Sequence, residues 1–289
     1  MTYLRWQHRP QLRRPVLVAA FEGWNDAGEA ATTALRWLEG TTDAVPFASI
    51  DPEDFYDFTV ARPNVKLDAD MTRRIEWPEP TLSSAHLERA DRDVIFLVGI
   101  EPALKWRSFA ETVLDVVQTM GVDLVLTLGA LLADVPHTRP VRITGTATDA
   151  DLITRFGFTR SRYEGPTGIV GILMDACARS SVQSASLWAT TPHYLRETQS
   201  PKAALALIHR LNELVPLGLD TTELEIASAA YERQVNDMLA GEDDVADYVR
   251  RLEEDEDVDG DDAEFTIPHP DAIAAEVERF LREQPGNNS

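Results

Sequence analysis

The stretch Val16-Leu17-Val18-Ala19-Ala20-Phe21-Glu22-Gly23-Trp24-Asn25-Asp26-Ala27-Gly28 constrains the fold more than any other part of the chain. An apolar run ends at a short polar turn that carries glycine. Ala30, Ala31, Ala34, Leu35 and Leu38 follow at helical spacing. A buried strand that feeds a helix directly is the opening unit of an α/β sheet. The turn also places Glu22, Trp24, Asn25 and Asp26 at the carboxyl end of that strand, where open α/β sheets bind ligands.

The alternation continues. Ala44 to Ile50 reads as a second strand, followed by an acidic, aromatic turn from Asp51 to Phe58. Met71 to Trp77 reads as an edge strand stopped by Pro78 and Pro80. Asp93 to Ile100 is a buried strand, and Trp106 to Met120 an amphipathic helix that Gly121 caps. Asp123 to Leu128 is a strand, Gly129 to Pro140 a long loop, and Val141 to Thr146 another strand. Gly165 to Gly171 opens a helix that is apolar almost all round through Cys177, as expected inside the molecule or at a subunit contact. Ser184 to Thr190 is the last strand, and a helix runs from Ser200-Pro201 to near Pro216. This alternation predicts a largely parallel sheet covered on both faces.

Charge divides the chain. Residues 217–289 carry 22 acidic and 5 basic residues, a net of -17, against -5 for residues 1–216. This predicts a core over 1–216 and an acidic helical extension over 217–289. Within the extension, Asp220 and Glu223 resemble a capping box, Leu224 to Met238 form one helix face, and Val245 to Leu252 mark a second helix. Nine of the twelve residues from Glu253 to Glu264 are acidic, so 253–266 reads as a solvated or disordered loop before a last helix, Pro270 to Leu281. Asp255, Asp257, Asp259 and Gly260 mimic part of a calcium loop, but Thr266 stands where the bidentate glutamate belongs, so no metal is expected.

A net charge of -22 argues against nucleic acid as a partner. No apolar run is long enough to span a membrane, and Met1 to Pro15 has no apolar signal core, so a cytoplasmic location is expected. The single cysteine, Cys177, excludes an internal disulfide and a multi-thiolate metal site.

Three groups of residues have chemical potential. Gly165, Thr167, Gly168 and Gly171 could cradle an anion at a helix start, or allow a tight turn and close packing. Glu22 and Asp26 could share a metal or a proton; the plainer reading has Asn25 or Asp26 cap the next helix while Glu22 bonds a neighbouring loop. Asp134, His137, Arg139 and Arg142 combine acid, imidazole and guanidinium on one loop, as an enzyme handling phosphate or a nucleobase needs, or they serve ion pairs and subunit contacts. No Ser-His-Asp arrangement and no zinc spacing is present, and no catalytic residue or cofactor is assigned.

Five segments occur in a fixed order: FEGWNDAG, DFYDF at 54–58, GIEPALKWRSFAE at 99–111, TLGALLADVPHTRP at 127–140 and YEGPTGIVGIL at 163–173. Together they resemble the proteasome assembly chaperone 2 family, in its actinobacterial branch, over roughly residues 15 to 215. The resemblance implies a three-layer α/β/α sandwich with a mostly parallel, mixed central sheet, similar to purine nucleoside phosphorylases and peptidyl-tRNA hydrolases, and it implies oligomer formation. A trimer is the expectation by analogy with phosphorylase-like relatives. Some members dock on proteasomes through a C-terminal hydrophobic-Tyr-any tripeptide. Residues 287–289 here are Asn-Asn-Ser, so that route is not expected.

The expected function is therefore a non-catalytic, assembly-chaperone-like interaction protein that forms a homo-oligomer. Trp24, Phe55, Tyr56 and Trp106 would supply aromatic anchors. The alternative is a small-molecule or anion-binding enzyme. In that case the glycine turn, Asp134, His137 and Arg139 would converge in one enclosed pocket, with an anion held by the amides of 167–169.

Overall fold

The computed structural model describes residues 3–88, 90–158, 161, 163–240 and 243–259. Among them, strands and helices follow in the order β1 (Leu4–Trp6), β2 (Val16–Glu22), α1 (Ala30–Thr41), β3 (Val45–Ile50), β4 (Asn64–Leu67), β5 (Arg73–Glu76), β6 (Thr81–Ala85), β7 (Val94–Ile100), α2 (Trp106–Met120), β8 (Leu124–Ala133), β9 (Ile143–Ala147), α3 (Ala150–Phe156), α4 (Ile169–Arg179), β10 (Gln183–Pro192), α5 (Pro201–Leu214), α6 (Thr222–Leu239) and α7 (Asp243–Asp259).

One eight-stranded mixed sheet runs in the order β1-β3-β6-β7-β2-β8-β10-β9. Its four central strands, β7, β2, β8 and β10, are parallel; the flanking pairings are antiparallel. Side chains alternate along a strand, so the apolar run of β2 serves two cores. Val16, Val18 and Ala20 pack with α1, α5 and Leu224 of α6. Leu17, Ala19 and Phe21 pack on the opposite face with α2 and α4. The result is the three-layer sandwich that the sequence predicts.

Several boundaries differ from expectation. β8 continues to Ala133, so the long loop begins at Asp134 and not at Gly129. Gly129 looks like a strand end but lies opposite Trp188 of β10, whose ring comes within 2.7 Å of where a β-carbon would sit. Glycine there admits the indole while the ladder continues. The strand near Met71 to Trp77 is not an edge of the main sheet. It is β5, paired with β4 in a separate ribbon. β1 and β6 have no sequence forecast. β6 buries Ser83 and Ser84, and the Ser83 hydroxyl donates to Glu39 at 2.5 Å, which masks the apolar signal of a strand.

The extension is not a detached unit. Leu217 and Leu224 belong to the same core as α5, so a boundary at 216 passes through packed side chains. Residues 253–259 continue α7 rather than forming a loop, because Val249 and Leu252 anchor that helix by burial. The expected helix at 270–281, the fraying end at 285–289 and the rest of the 253–266 stretch lie outside the described residues. No helix among the described residues is long and apolar enough to cross a membrane. Cys177 is buried, and that burial pushes its thiol up to about 11, as a structural cysteine requires.

Candidate interaction site

The turn after β2 is bonded to its neighbours on three sides. Gly23 has φ of 115°, a value that favours glycine. The Asp26 amide donates to the Gly23 carbonyl at 3.0 Å, and the Ala130 amide of β8 donates to the Asn25 carbonyl at 2.8 Å. The Asp26 carboxylate caps α1, accepting the Ala31 amide at 2.7 Å together with the amide and hydroxyl of Thr32. Burial raises its pKa, while the bonds from Thr32 and Ala31 oppose that rise. Glu22 pairs with Arg36 of α1 and not with a loop. The two carboxylates thus have separate partners, and no cluster of three metal-ligating side chains occurs among the described residues.

The glycine turn faces this cradle, but its anion comes from within the chain. Glu101, directly after β7, accepts the Ile169 amide at 2.8 Å and the Asn25 side-chain amide at 2.6 Å. A carboxylate therefore occupies the α4 N-terminus, where the helix dipole and free amides favour negative charge. The expected external anion on the amides of 167–169 is displaced by Glu101. A β-carbon on Gly168 would lie 2.5 Å from both Asn25 Oδ1 and Glu101 Oε1, so glycine is required for this approach. Gly171 leaves room for the Thr167 hydroxyl, and Gly165 for the Tyr163 ring. Close packing explains the glycine spacing.

The loop after β8 forms a second, separate group. Both ring nitrogens of His137 are bonded, Nδ1 to the Tyr194 hydroxyl at 2.8 Å and Nε2 to Asn236 Oδ1 of α6 at 3.0 Å. Asn236 Oδ1 can only accept, so Nε2 is the donor of that bond. The Lys202 ammonium bridges the His137 carbonyl and Glu232 of α6, each at 2.6 Å. Asp134 accepts from the Tyr248 hydroxyl of α7 at 3.1 Å, and Thr138 bonds Glu253. The Arg142 carbonyl accepts the Thr190 amide at 3.1 Å. Arg139 and His137 line a cavity of about 20 Å³, room for one water. These residues fasten the loop beneath α6 and α7. They do not converge with the glycine turn into the enclosed pocket that the enzyme reading requires.

Two of the expected aromatic anchors are internal. Phe55 is buried between Tyr3 and Phe109, with ring centroids 4.7 and 5.3 Å away. The buried Tyr56 hydroxyl donates to the Ile100 carbonyl at 2.9 Å and accepts the Ile100 amide at 3.0 Å. It thereby fixes the chain one residue before Glu101, and burial drives its pKa upward. Trp106 is half-buried and donates to the Pro102 carbonyl. Only Trp24 stands out, 63% exposed. Leu104, on the neighbouring connection after β7, is also exposed. Sequence reasoning missed Glu101. Its position at the end of a buried strand, beside Gly99 and Pro102, was the available signal.

The sandwich and its self-closed strand-end rim define a three-layer α/β protein whose polar turns are held by the chain's own side chains. The chain belongs to the PAC2 family, whose model matches residues 20–239. The match extends past 216 and includes α6. A PAC2 family protein from Streptomyces avermitilis is 46% identical, with a TM-score of 0.76 over 81% of this chain and 99% of that one. A Mycobacterium tuberculosis protein described as a proteasome-assembly chaperone homologue is 40% identical, with a TM-score of 0.74 and the same coverage. Pyrococcus furiosus PbaB, described as an archaeal proteasome activator, shares the fold at 18% identity and a TM-score of 0.67, over 81% of this chain and 97% of that one. None of the curated proteins compared with the chain matches it.

Proposed function

We propose that this chain is a non-catalytic, assembly-chaperone-like interaction protein that forms a homo-oligomer, a trimer, and binds a proteasome-related protein partner. Trp24 carries the reading. Its indole is largely exposed on a turn pinned by β8, the α1 cap and the Glu101 cradle. An aromatic residue held rigid before contact loses little entropy on binding, and such residues dominate interface energies. The Mycobacterium relative, named a proteasome-assembly chaperone homologue, supports the choice of partner.

Self-association is supported by the β4–β5 ribbon. Val65 and Ile75 lie opposite one another and share a face with Leu67 and its partner Arg73; the three apolar side chains are about half exposed or more. The other face carries Lys66, Arg74 and Glu76, linked as ion pairs. A two-stranded ribbon with an uncovered apolar face is marginal in water by itself.

The test is affinity capture from a proteasome-bearing actinobacterial lysate with the wild type and Trp24→Ala. The expected result is proteasome subunits on the wild type and at least a tenfold loss with the variant. Equal recovery would remove Trp24 from the interface, and a wild-type capture without proteasome subunits would remove the partner. Light scattering on the purified chain tests the oligomer; a mass of 32.2 kDa would exclude it.

A further inference from the structure

At the opposite edge of the sheet, the starts of the four parallel strands surround an open depression of about 410 Å³, within the range of small-ligand sites. Arg14 precedes β2, Arg92 precedes β7, Asp123 and Leu124 open β8, and Ser181 and Gln183 lead into β10; Arg155 reaches it from α3.

The charges there do not balance. Arg14 pairs with Asp91 at 2.9 Å and with Asp123 at 3.6 Å. Among the described residues, Arg92 has only the other oxygen of the same Asp91, at 3.7 Å through Nε, although its side chain is just 14% exposed. Arg155 lies over the Phe156 ring and has no carboxylate within 4 Å among the described residues. Three guanidinium groups thus face two carboxylates, in a chain whose net charge is -22. The Arg92 nitrogens still reach solvent, so their donors are open to an incoming acceptor that exchanges with water. Guanidinium forks match phosphoryl oxygens in pairs, and a hydroxyl and a carboxamide add further bonds. The lining contains no aromatic ring on which a base could stack.

We propose that this depression binds a compact phosphoryl anion without a base, either inorganic (phosphate or pyrophosphate) or a small phosphate ester. Arg92 and Arg155 grip its oxygens, and Ser181 and Gln183 complete the shell. The site is remote from the Trp24 rim and does not depend on the proposed partner.

Calorimetric titration and thermal unfolding of the full chain at low ionic strength test this, with pyrophosphate, inorganic phosphate, glycerol 3-phosphate and sulfate as probes. The expected result is a saturable rise in melting temperature with the phosphoryl probes. The stronger of pyrophosphate and glycerol 3-phosphate assigns the source. Arg155→Gln, at an exposed position, and Arg92→Gln should each weaken binding about tenfold, whereas Arg233→Gln on α6 should not. If Arg92→Gln unfolds, Arg155→Gln and the amide shifts of Ser181, Val182 and Gln183 decide. A rise that does not saturate, equals that with sulfate or persists in Arg155→Gln would overturn the proposal, as would shifts confined elsewhere.

Discussion

The turn after β2 and the β4–β5 ribbon are both connections of the same sheet, and they resolve their surface chemistry in opposite ways. In the turn, each strong donor meets an acceptor from another element. Glu101 from the end of β7 takes the α4 amide and the Asn25 amide, and Asp26 takes the first turn of α1. The ribbon satisfies its charged face through Lys66, Arg74 and Glu76, but leaves Val65, Leu67 and Ile75 facing outward. A polar site whose donors are met inside one chain holds geometry, even though the buried Asn25 Oδ1 has no partner among the described residues. An apolar face left open stores contact energy for another surface. The difference separates a closed scaffold from the surface proposed for docking, and Trp24 joins the two by mounting an exposed ring on a polar support.

The contrast breaks most visibly at Gly168. Gly168→Val forces a branched side chain against Asn25 and Glu101 and should cost about 3 kcal/mol, read by urea unfolding. An unchanged midpoint would mean that the cradle is not tightly closed. Glu101→Ala comes next, at about 2 kcal/mol, because the Ile169 and Asn25 donors lose their acceptor. Acetate should restore the variant's melting temperature more than it raises the wild type's, since it can refill an emptied helix terminus. Equal responses would argue that Glu101 is not the anion of α4.

Asp26 offers a smaller effect with a definite sign. Its folded pKa is raised above the ordinary 3.8, chiefly by burial. The native state therefore binds the proton more tightly than the unfolded chain. That contribution is fully present below 3.8 and is lost as pH rises through the folded value. Asp26→Asn, which has no titrating proton, should flatten this part of the pH-stability curve. A variant curve parallel to the wild type's would refute the assignment. The ribbon should show the smallest stability change. Val65→Thr combined with Ile75→Thr should shift unfolding by no more than about 0.5 kcal/mol, yet reduce self-association in sedimentation. A large loss of stability would show that this face packs within the chain.

Legibility in the sequence followed local chemistry. β2, β7 and α2 are dense in apolar residues at the period of their own structure, so they could be placed directly. β6 and the second half of β8 could not. The first hides in buried serines, and the second crosses a glycine that only makes sense once Trp188 lies beside it. Among the candidate residues, Asp26 was readable as a cap because its partners lie five and six positions away. Glu101 was not, because Ile169 is 68 residues distant. Phe55 and Tyr56 carry the composition of an interface but are enclosed by Tyr3, Phe109 and the end of β7.

The sequence alone determined the layered architecture, since hydrophobic period is a local property that burial must satisfy, and its five ordered segments marked the family. Tertiary structure decided which polar groups were already consumed. Helix-start amides, carboxylates and imidazoles look alike in one dimension whether open or occupied. Only the meeting of β2, β7 and α4, and of the β8 loop with α6 and α7, shows that the chain fills both groups itself and leaves Trp24 outside.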